Sequence, residues 1–324
     1  MPPRVLFMGT PAFAVPTLEA LHAAGWQVVG AVCQPDKPVG RGQALTPPPV
    51  KVAAERLGIP VLQPARLRGN DEALAAIRVL EPDVAVVIAY GKLLPAAWLT
   101  LPPHGCLNLH GSLLPRYRGA APIQWALIRG EVETGVTLMQ MDEGMDTGAM
   151  LARVTCPIAP QDDAASLAEK LSKASAALLI AELPRWLSGE LVPEAQDDRL
   201  ATMAPLLGKD TGAIDWTRSA AAIVDLARGV QPWPGATASL LGQPLKLRTL
   251  KARPAPHVAP PGTILALAPD GWLVAAAEGA VLVGEVQLPG KPMRPAADVA
   301  RGWRELAPGA VFEPRQPAGS GAGG

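Results

Sequence analysis

The sequence predicts an α/β chain of two domains, an open and mostly parallel sheet with helices on both faces followed by a smaller β-barrel. Short apolar runs alternate with helical periodicity through the first half, which is typical of a parallel sheet that is buried on both faces. After Pro232-Trp233-Pro234, about five short strands separated by Gly/Pro turns are typical of a small barrel. The length of 324 residues favours two domains over one. We therefore expect a Rossmann-like first domain and an OB-like second domain.

The first domain is predicted over 1–189, a linker over 190–212, the barrel over 213–312 and a disordered Gly/Ala-rich tail over 313–324. The chain opens as strand, turn, helix and strand. Its first turn reads Gly9-Thr-Pro-Ala-Phe rather than the Gly-x-Gly-x-x-Gly of a dinucleotide site, so a nicotinamide cofactor is not supported.

The remaining elements follow from apolar periodicity and from breaker residues. Helices are predicted over 14–24, 50–57, 70–80, 123–129, 162–189, 220–229 and 296–304, with Asn70 as the N-cap of the third. Strands are predicted over 4–8, 26–33, 59–62, 83–89, 105–110, 135–140 and 150–156, and in the barrel over 236–241, 244–251, 262–267, 272–277 and 281–287. Five prolines and two glycines predict that 34–49 is a long loop without helix or strand.

Composition argues against a membrane-spanning protein, a secreted protein and a zinc protein. The longest apolar runs fall below the roughly 18 residues of a membrane span, and the N-terminus lacks the features of a signal peptide. Three widely spaced cysteines fit a reducing, cytoplasmic environment and argue against a zinc site. The net charge is −3 over 1–205 and +3 over 206–324, so the second half is the part expected to meet a polyanion. A chance imbalance of a few charges explains the same difference equally well.

The most informative stretch is Gly-Cys-Leu-Asn-Leu-His-Gly-Ser-Leu-Leu-Pro-Arg-Tyr-Arg-Gly-Ala-Ala-Pro, over 105–122. Asn108 and His110 are two residues apart on a predicted strand, so their side chains share one face of the sheet. Gly111 ends the strand, at the kind of position where an open α/β sheet binds its ligands. Asp146 lies in the acidic loop Met-Asp-Glu-Gly-Met-Asp-Thr-Gly over 141–148 and is the candidate third member of the set.

An amide, an imidazole and a carboxylate together suit a reaction through a tetrahedral oxyanion. No Ser or Cys stands in a nucleophile elbow, which favours direct transfer between two bound substrates. A structural hydrogen-bond pair remains the more frequent role of an isolated Asn-x-His. The four histidines have no metal-ligand spacing, so no metal site is predicted. Arg116 and Arg118 fit phosphate contacts and surface charges equally well.

These motifs resemble the methionyl-tRNA formyltransferase family. The central stretch continues as Ile-Gln after Pro122, and the segment 134–148 completes the central pattern. The opening Phe7-Met-Gly-Thr-Pro-Ala-Phe, the loop Gln34-Pro-Asp-Lys-Pro-Val-Gly-Arg-Gly, the run Val87-Ile-Ala-Tyr-Gly and Trp233-Pro match the same family. The central motif alone indicates only the wider superfamily of formyl-tetrahydrofolate transferases and hydrolases, and the similarity extends over 4–312.

The resemblance implies that Asn108, His110 and Asp146 form the catalytic trio. It implies 10-formyltetrahydrofolate as co-substrate, and the folate is expected to contact Ser112, Leu113, Leu114, Pro115, Tyr90 and Gly91. Initiator methionyl-tRNA is the implied acceptor, with Arg41 reaching its acceptor end. Phosphate contacts are expected from Lys246, Arg248, Lys251 and Arg253. In the family, the loop that contains this arginine commonly carries lysines directly after the Arg-Gly pair. This chain has Gln43 and Ala44 at those positions, so Arg41 is expected to supply a larger share of the positive charge of the loop.

The reaction implied is transfer of the formyl group from the folate to the α-amine of methionyl-initiator-tRNA, by a monomer without a membrane partner or a metal. Three alternatives stay open: a formyltransferase acting on a sugar-nucleotide amine, a formyltetrahydrofolate hydrolase, and a non-catalytic folate- or RNA-binding module. The intact Asn/His/Asp set argues against the last.

Overall fold

A computed structural model describes residues 2–39 and 43–315 and divides the chain into two compact units. The first unit comprises the described residues up to Ile123 together with Glu133–Ile158 and Ser166–Pro205. The second comprises Gln124–Val132, Ala159–Ala165 and the described residues from Leu206 onward. Within the described ranges, no helix is both long enough and apolar enough to cross a membrane.

The strands of the first unit are β1 (Arg4–Gly9), β2 (Gln27–Val32), β3 (Lys37–Val39), β4 (Ala44–Thr46), β5 (Val61–Leu62), β6 (Val84–Ile88), β7 (Cys106–His110), β8 (Glu133–Gln140) and β9 (Met150–Pro157). The helices up to residue 187 are α1 (Val15–Ala23), α2 (Pro49–Arg56), α3 (Asp71–Val79), α4 (Ala96–Leu99), α5 (Pro122–Ile128) and α6 (Ala164–Leu187). The helices α5 and α6 cross the division between the units.

Seven strands form one sheet in the order β5-β2-β1-β6-β7-β8-β9. The pairs from β5 to β7 are parallel, and β8 and β9 are added antiparallel. The chain moves outward from β1 to β5 and then returns to β6 on the other side of β1. The edge between β1 and β6 is therefore a topological switch point, where open α/β sheets bind ligands. The Rossmann-like fold predicted for the first domain is confirmed.

Both faces of this sheet are covered. On one face Leu6 and Met8 of β1 pack in a cluster with Ile77 of α3 and Trp98 of α4. The alternate residues, such as Phe7, are fully buried as well, so the opposite face is also shielded from water. The predicted cap of α3 is confirmed, since the Asn70 side chain accepts a hydrogen bond from the Ala73 amide at 3.0 Å.

The prediction that 34–49 lacks regular structure is wrong. β3 and β4 pair as a short antiparallel hairpin, with Lys37 opposite Thr46 and Pro38 opposite Leu45. The base of the hairpin is fixed by Asp36, which accepts hydrogen bonds from Lys51 at 2.9 Å and from Gln63 at 2.7 Å. Proline lacks the backbone N–H that a central strand must donate to its neighbour. It is tolerated here because the hairpin is a separate two-stranded sheet, in which few backbone hydrogen bonds are required.

The second unit contains α7 (Ala220–Gly229), α8 (Ala296–Gly302) and the strands β10 (Ala236–Leu240), β11 (Gln243–Arg253), β12 (Ile264–Ala268), β13 (Gly271–Ala275), β14 (Ala280–Gln287) and β15 (Arg294–Pro295). They form an antiparallel sheet in the order β10-β11-β14-β13-β12, with β15 beside β14. The fully buried Trp272 belongs to its core and donates from its indole nitrogen to the Ala296 carbonyl at 2.8 Å.

The two edges of this sheet are joined by one segment near the chain end. Phe312 bridges Leu240 of β10, and Val311 bridges Thr263 directly before β12. The Glu313 amide also bonds to the Ser239 carbonyl at 2.9 Å. These contacts join the edge strands as the predicted barrel requires. Of the segment predicted as a tail, residues 313–315 are described and the rest lies outside the described residues.

The segment predicted as a linker over 190–212 is divided between the units at Pro205. Its first part pairs with the first unit, because Glu194 and Met150 exchange two backbone hydrogen bonds of 2.8 Å. Further along, Ala204 donates to the Arg118 carbonyl at 2.7 Å. Residues 194–204, called the strap below, therefore belong structurally to the α/β sheet.

Candidate active site

β7 carries the first two candidate residues. Asn108 and His110 project from the same face of this strand and are 9% and 6% exposed. β7 is flanked on both sides, with Val87 opposite Asn108 and Thr137 opposite His110. The two side chains share one face of a strand, as the sequence predicts, and the structure shows that this strand lies in the interior of the sheet.

The His110 ring lies between two acceptors. Its Nε2 is 2.9 Å from the carbonyl oxygen of Tyr117, and its Nδ1 is 3.6 Å from Oδ2 of Asp146. The first distance is a hydrogen bond, whereas the second is a contact between the imidazole and the carboxylate that is longer than a hydrogen bond. Because a carbonyl oxygen can only accept, the short contact with Tyr117 requires a proton on Nε2. The Tyr117 carbonyl therefore fixes the ring plane and turns Nδ1 toward the carboxylate.

Asp146 reaches His110 by an indirect route. Since β8 runs antiparallel to β7, it ends beside the start of β7, where the Met141 amide donates to the Cys106 carbonyl. The loop from 141 to 149 must therefore fold back along the sheet to bring Asp146 near His110. Oδ2 of Asp146 also accepts a hydrogen bond from the Gly119 amide at 2.8 Å. The structure thus brings the three residues predicted from sequence into one region.

Tyr117 was not predicted as a site residue. Its φ of +63° is in the left-handed region, and its amide donates to the Thr202 hydroxyl at 2.9 Å. The carbonyl oxygen that holds His110 thereby depends on a backbone conformation. No side-chain pattern in the sequence indicates it, because the contribution comes from the main chain.

The stretch 112–115 follows β7 and is clamped by Thr137, which is fully buried. The Thr137 hydroxyl donates to the Ser112 carbonyl at 2.7 Å and accepts from the Leu114 amide at 3.0 Å. The Ser112 hydroxyl donates a hydrogen bond to the Arg116 carbonyl at 2.6 Å. The Leu114 side chain is buried in a cluster with two methionines. Leu113 and Pro115 are half-buried. Any ligand contact here therefore involves the backbone, Leu113 and Pro115.

Tyr90 and Gly91 follow β6 at the switch point. The Tyr90 carbonyl accepts hydrogen bonds from the Thr10 hydroxyl at 3.0 Å and from the Gln34 amide group at 3.1 Å, which ties together the ends of β1, β2 and β6. The Tyr90 ring is buried, its hydroxyl has no hydrogen-bond partner among the described residues, and burial raises its pKa to about 12. Gly91 is exposed, with a φ of +85°. At this position the backbone, rather than the phenol, faces the carboxyl edge.

Arg118 is neither a surface charge nor a free phosphate contact. It is 7% exposed, and its guanidinium donates to Gln196 at 2.9 Å and to Asp198 at 2.8 Å. The interpretation of Arg118 as a surface charge is therefore wrong, and its guanidinium is already bound on two sides within the protein. In the described part of the chain, no group of three or more His, Cys, Asp or Glu side chains is arranged to hold a metal ion.

The predicted tRNA contacts in the second unit lie along β11. Lys246, Arg248, Lys251 and Arg253 are all exposed, while Leu245, Leu247 and Leu250 point into the core. None of the four cations forms a salt bridge with another described residue, although Glu285 lies opposite Arg248 on β14. The Glu285 carboxylate accepts from the Thr249 hydroxyl at 2.6 Å. Arg41 lies outside the described residues.

Comparison with known proteins gives matches over both units. The formyl transferase family model matches residues 3–183, and the model for the C-terminal domain of formyl transferases matches residues 206–304. A methionyl-tRNA formyltransferase of Citrifermentans bemidjiense is 50% identical over 309 residues, which is 95% of this chain and 96% of the relative. One of Myxococcus xanthus is 49% identical over 307 residues, 95% of this chain and 97% of the relative.

Solved structures with the same fold are more distant in sequence. WlaRD, a sugar 3N-formyl transferase, superposes with a TM-score of 0.66 at 14% identity, covering 90% of this chain and 100% of that one. HypX from Aquifex aeolicus in complex with tetrahydrofolic acid gives a TM-score of 0.60 at 19% identity, covering 91% of this chain but 46% of HypX. The structural likeness establishes the fold, and the two family models together with the near full-length relatives show that this chain belongs to the formyl transferase family.

Proposed function

We propose that this protein transfers the formyl group of 10-formyltetrahydrofolate to the α-amine of methionyl-initiator-tRNA. The observation that carries the proposal is the His110 ring held between the Tyr117 carbonyl and the Asp146 carboxylate on the same strand face as Asn108. The 46–50% identity to proteins named methionyl-tRNA formyltransferase over almost the full length supports the choice of acceptor.

The proposed chemistry proceeds through a tetrahedral intermediate. The lone pair of the neutral amine forms a bond to the formyl carbon, and the formyl oxygen takes up the displaced electron pair. The Asn108 carboxamide and the proton on Nδ1 of His110 donate to this oxyanion. Nε2 is held by the Tyr117 carbonyl, whereas the 3.6 Å contact of Nδ1 with Asp146 is longer than a hydrogen bond. Nδ1 is therefore the ring nitrogen that remains able to donate to the reacting atoms.

Proton movement is the proposed task of Asp146. Its carboxylate accepts the proton that the attacking amine loses. As the intermediate collapses, the electron pair on the oxyanion re-forms the carbonyl and the bond between the formyl carbon and N10 of the folate breaks. N10 takes up the proton that Asp146 accepted from the amine, and tetrahydrofolate departs. The Gly119 amide, bonded to Oδ2, fixes the carboxylate while leaving Oδ1 for this exchange.

The folate is proposed to bind at the carboxyl edge of the first sheet. Leu113 and Pro115 offer half-buried apolar surface there, and the backbone at Tyr90 and Gly91 forms the turn at the switch point. The buried Ser112 hydroxyl is hydrogen-bonded to the Arg116 carbonyl, and the Leu114 side chain is packed in an apolar cluster. These two residues are therefore proposed to contact the folate through their backbone and to maintain the shape of the loop.

The acceptor is proposed to bind through the second unit. The four exposed cations of β11 have no salt-bridge partners among the described residues. Lys246 and Arg248 alternate with buried leucines, and Lys251 and Arg253 follow the buried Leu250. Between the two pairs, the φ of +56° at Thr249 interrupts the regular alternation of the strand. Residues two apart on a strand are about 7 Å apart, which suits successive contacts to a charged backbone. Arg41 is proposed to add a contact at the acceptor end.

A direct assay tests the proposal. Purified protein with formyl-folate is given methionyl-initiator-tRNA, uncharged tRNA, free methionine, an amino sugar nucleotide, or no acceptor. We expect formyl transfer only to the charged tRNA. Transfer to the amino sugar would establish the sugar-nucleotide alternative, and tetrahydrofolate release without an acceptor would establish a hydrolase. Folate binding with no transfer to any acceptor would establish a binding module.

We further propose that the enzyme acts as a monomer in the cytoplasm. The described thiols form no disulfide, and Cys33 and Cys106 are buried in the α/β unit, which suits a reducing compartment. Light scattering across the concentrations used for the assay tests the monomer, and fractionation of cells tests the location.

A further inference from the structure

We propose that Gln196 is a positioning residue that holds Asp146 in its reactive place, and that Arg118 sets the orientation of Gln196. The inference rests on the proposed function, because it assigns these two residues a role in the same transfer. The sequence pattern indicates this positioning role for neither residue, since both act through contacts with a segment about fifty residues or more away along the chain.

The carboxamide of Gln196 forms hydrogen bonds on both of its ends. Its Nε2 donates to the carbonyl oxygens of Asp146 and Gly148, each at 2.8 Å. Its Oε1 accepts from Nε of Arg118 at 2.9 Å. One side chain therefore joins the backbone of the loop that carries Asp146 to a buried guanidinium.

Asp146 needs such support. Its φ is +55°, a left-handed conformation that residues with a side chain rarely adopt and that persists only where the surroundings hold it. The Gly119 amide holds the carboxylate end, and Gln196 holds the carbonyl end of the same residue. The two contacts together fix the direction in which Oδ2 faces Nδ1 of His110.

Arg118 decides which way the carboxamide points. A guanidinium has donors only, so the Gln196 oxygen must face it and the nitrogen must face the two carbonyls. Arg118 is itself fixed, because it is 7% exposed and its backbone pairs with Thr202 and Ala204 at 2.8 and 2.7 Å. The Asp198 carboxylate binds the other end of the guanidinium at 2.8 Å. The amide is therefore held in the donating orientation before any substrate binds.

The strap connects both partners of His110. Near its start, Gln196 holds the Asp146 backbone, and further along, the Thr202 hydroxyl accepts from the Tyr117 amide at 2.9 Å. The Tyr117 carbonyl in turn accepts from His110. Substitution of Gln196 should therefore move Asp146 away from its position beside the His110 ring, while the residues proposed to contact the two substrates stay unchanged. The loss is expected in kcat rather than in either KM.

Two substitutions separate the donor role of Gln196 from mere space filling. Gln196→Glu keeps the shape of the side chain and its contact with Arg118. It replaces the donating NH2 group by a carboxylate oxygen, which cannot bond to the carbonyl oxygens of Asp146 and Gly148. Gln196→Met keeps a similar length without donors or charge. We expect each to lower kcat about 10- to 100-fold while both KM values stay within about twofold, since small misplacements at a reacting centre have effects of this size. Gln27→Glu is the matched control, because Gln27 is exposed at the start of β2.

A second readout does not depend on the acceptor. The Gly119 amide proton, bonded to Oδ2 of Asp146, is followed by NMR for its chemical shift and its exchange rate. In Gln196→Met we expect a shift and faster exchange at Gly119, with the amides of β6 and β7 as protected as in the wild type. Faster exchange across those strands as well would indicate a general loss of stability and would overturn the positioning role.

The two tests distinguish the two proposals. If the wild type does not formylate methionyl-initiator-tRNA, the proposed function fails, yet the Gly119 signal still reports whether Gln196 places Asp146. If the wild type is active and Gln196→Glu and Gln196→Met retain wild-type kcat, the positioning role is wrong while the proposed function stands. A rise in the KM for tRNA or folate with unchanged kcat would likewise overturn it.

Discussion

Tyr117 and Asp146 both adopt left-handed backbone conformations, with φ of +63° and +55°. Non-glycine residues in this region tend to occur where the surrounding structure fixes a functional geometry. Here one conformation delivers a carbonyl to Nε2 of His110 and the other delivers a carboxylate to Nδ1. The residue types at 108, 110 and 146 were predictable from their chemistry and from strand alternation. The Tyr117 carbonyl was not, because the sign of φ leaves no mark in the sequence.

The buried phenol of Tyr90 gives a prediction about stability. Its hydroxyl has no partner among the described residues, so it bears a desolvation cost without a compensating hydrogen bond. Tyr90→Phe is expected to leave the free energy of unfolding unchanged or to raise it by about 1 kcal/mol. Denaturant unfolding measures this difference. A loss of stability of that size or more would mean that the hydroxyl is satisfied in the native protein.

The two buried thiols give a prediction about reactivity. Burial raises the pKa of Cys33 to about 11 and that of Cys106 to about 12. Since the thiolate is the reactive form, and since it becomes abundant only above these values, neither thiol should react with a thiol reagent at pH 8 while the protein is folded. Mass spectrometry of the labelled protein before and after unfolding measures this. Rapid native labelling at either position would contradict the buried placement.

At the scale of elements, the sequence predicts a helix or strand correctly where hydrophobic periodicity and capping residues within the segment determine it. The α3 helix and its Asn70 cap follow from periodicity and capping chemistry. The hairpin of β3 and β4 was missed because its pairing joins residues across a Pro/Gly-rich segment whose composition alone favours a loop. The return of the Asp146 loop along the sheet was also not predictable, since it depends on β8 being antiparallel to β7.

The clamp on the loop after β7 gives a prediction at this scale. Thr137→Val removes the hydroxyl that bonds to the Ser112 carbonyl and the Leu114 amide, and it leaves both backbone groups without that partner. We expect a loss of about 1–3 kcal/mol in the free energy of unfolding and a raised KM for the folate. Tyr90→Phe is the matched control, because it deletes a buried hydroxyl that has no partner. Equal effects of the two substitutions on stability would contradict the clamp.

For the whole molecule, the sequence indicated an asymmetry of charge, −3 over 1–205 and +3 over 206–324. The structure shows that four cations of the second half, Lys246, Arg248, Lys251 and Arg253, are exposed on β11. The prediction of two domains came from the length of the chain and the change in periodicity after Pro234. The role of 190–205 was not predictable, because its weak periodicity resembles a linker and its structure comes from backbone pairing with distant residues.

The exposed cations give a prediction about salt dependence. If Lys246, Arg248, Lys251 and Arg253 contact phosphates, tRNA affinity should fall with salt, and replacing each by Gln should reduce the slope of log K against log salt by about 0.7–0.9. Binding measured between low and physiological salt tests this. Lys173→Gln is the control, since Lys173 is exposed on α6 and paired with Glu169. Slopes unchanged in all four variants would show that tRNA binds elsewhere.

The central claim is that Asn108, His110 and Asp146 act together on one carbonyl carbon. Single-turnover formyl transfer to methionyl-initiator-tRNA by Asn108→Ala and by Asp146→Ala, with folding checked by circular dichroism, tests it most directly. We predict that each variant is folded and that its rate falls on the order of a hundredfold or more. A folded variant of either kind that transfers the formyl group at close to the wild-type rate would contradict the account.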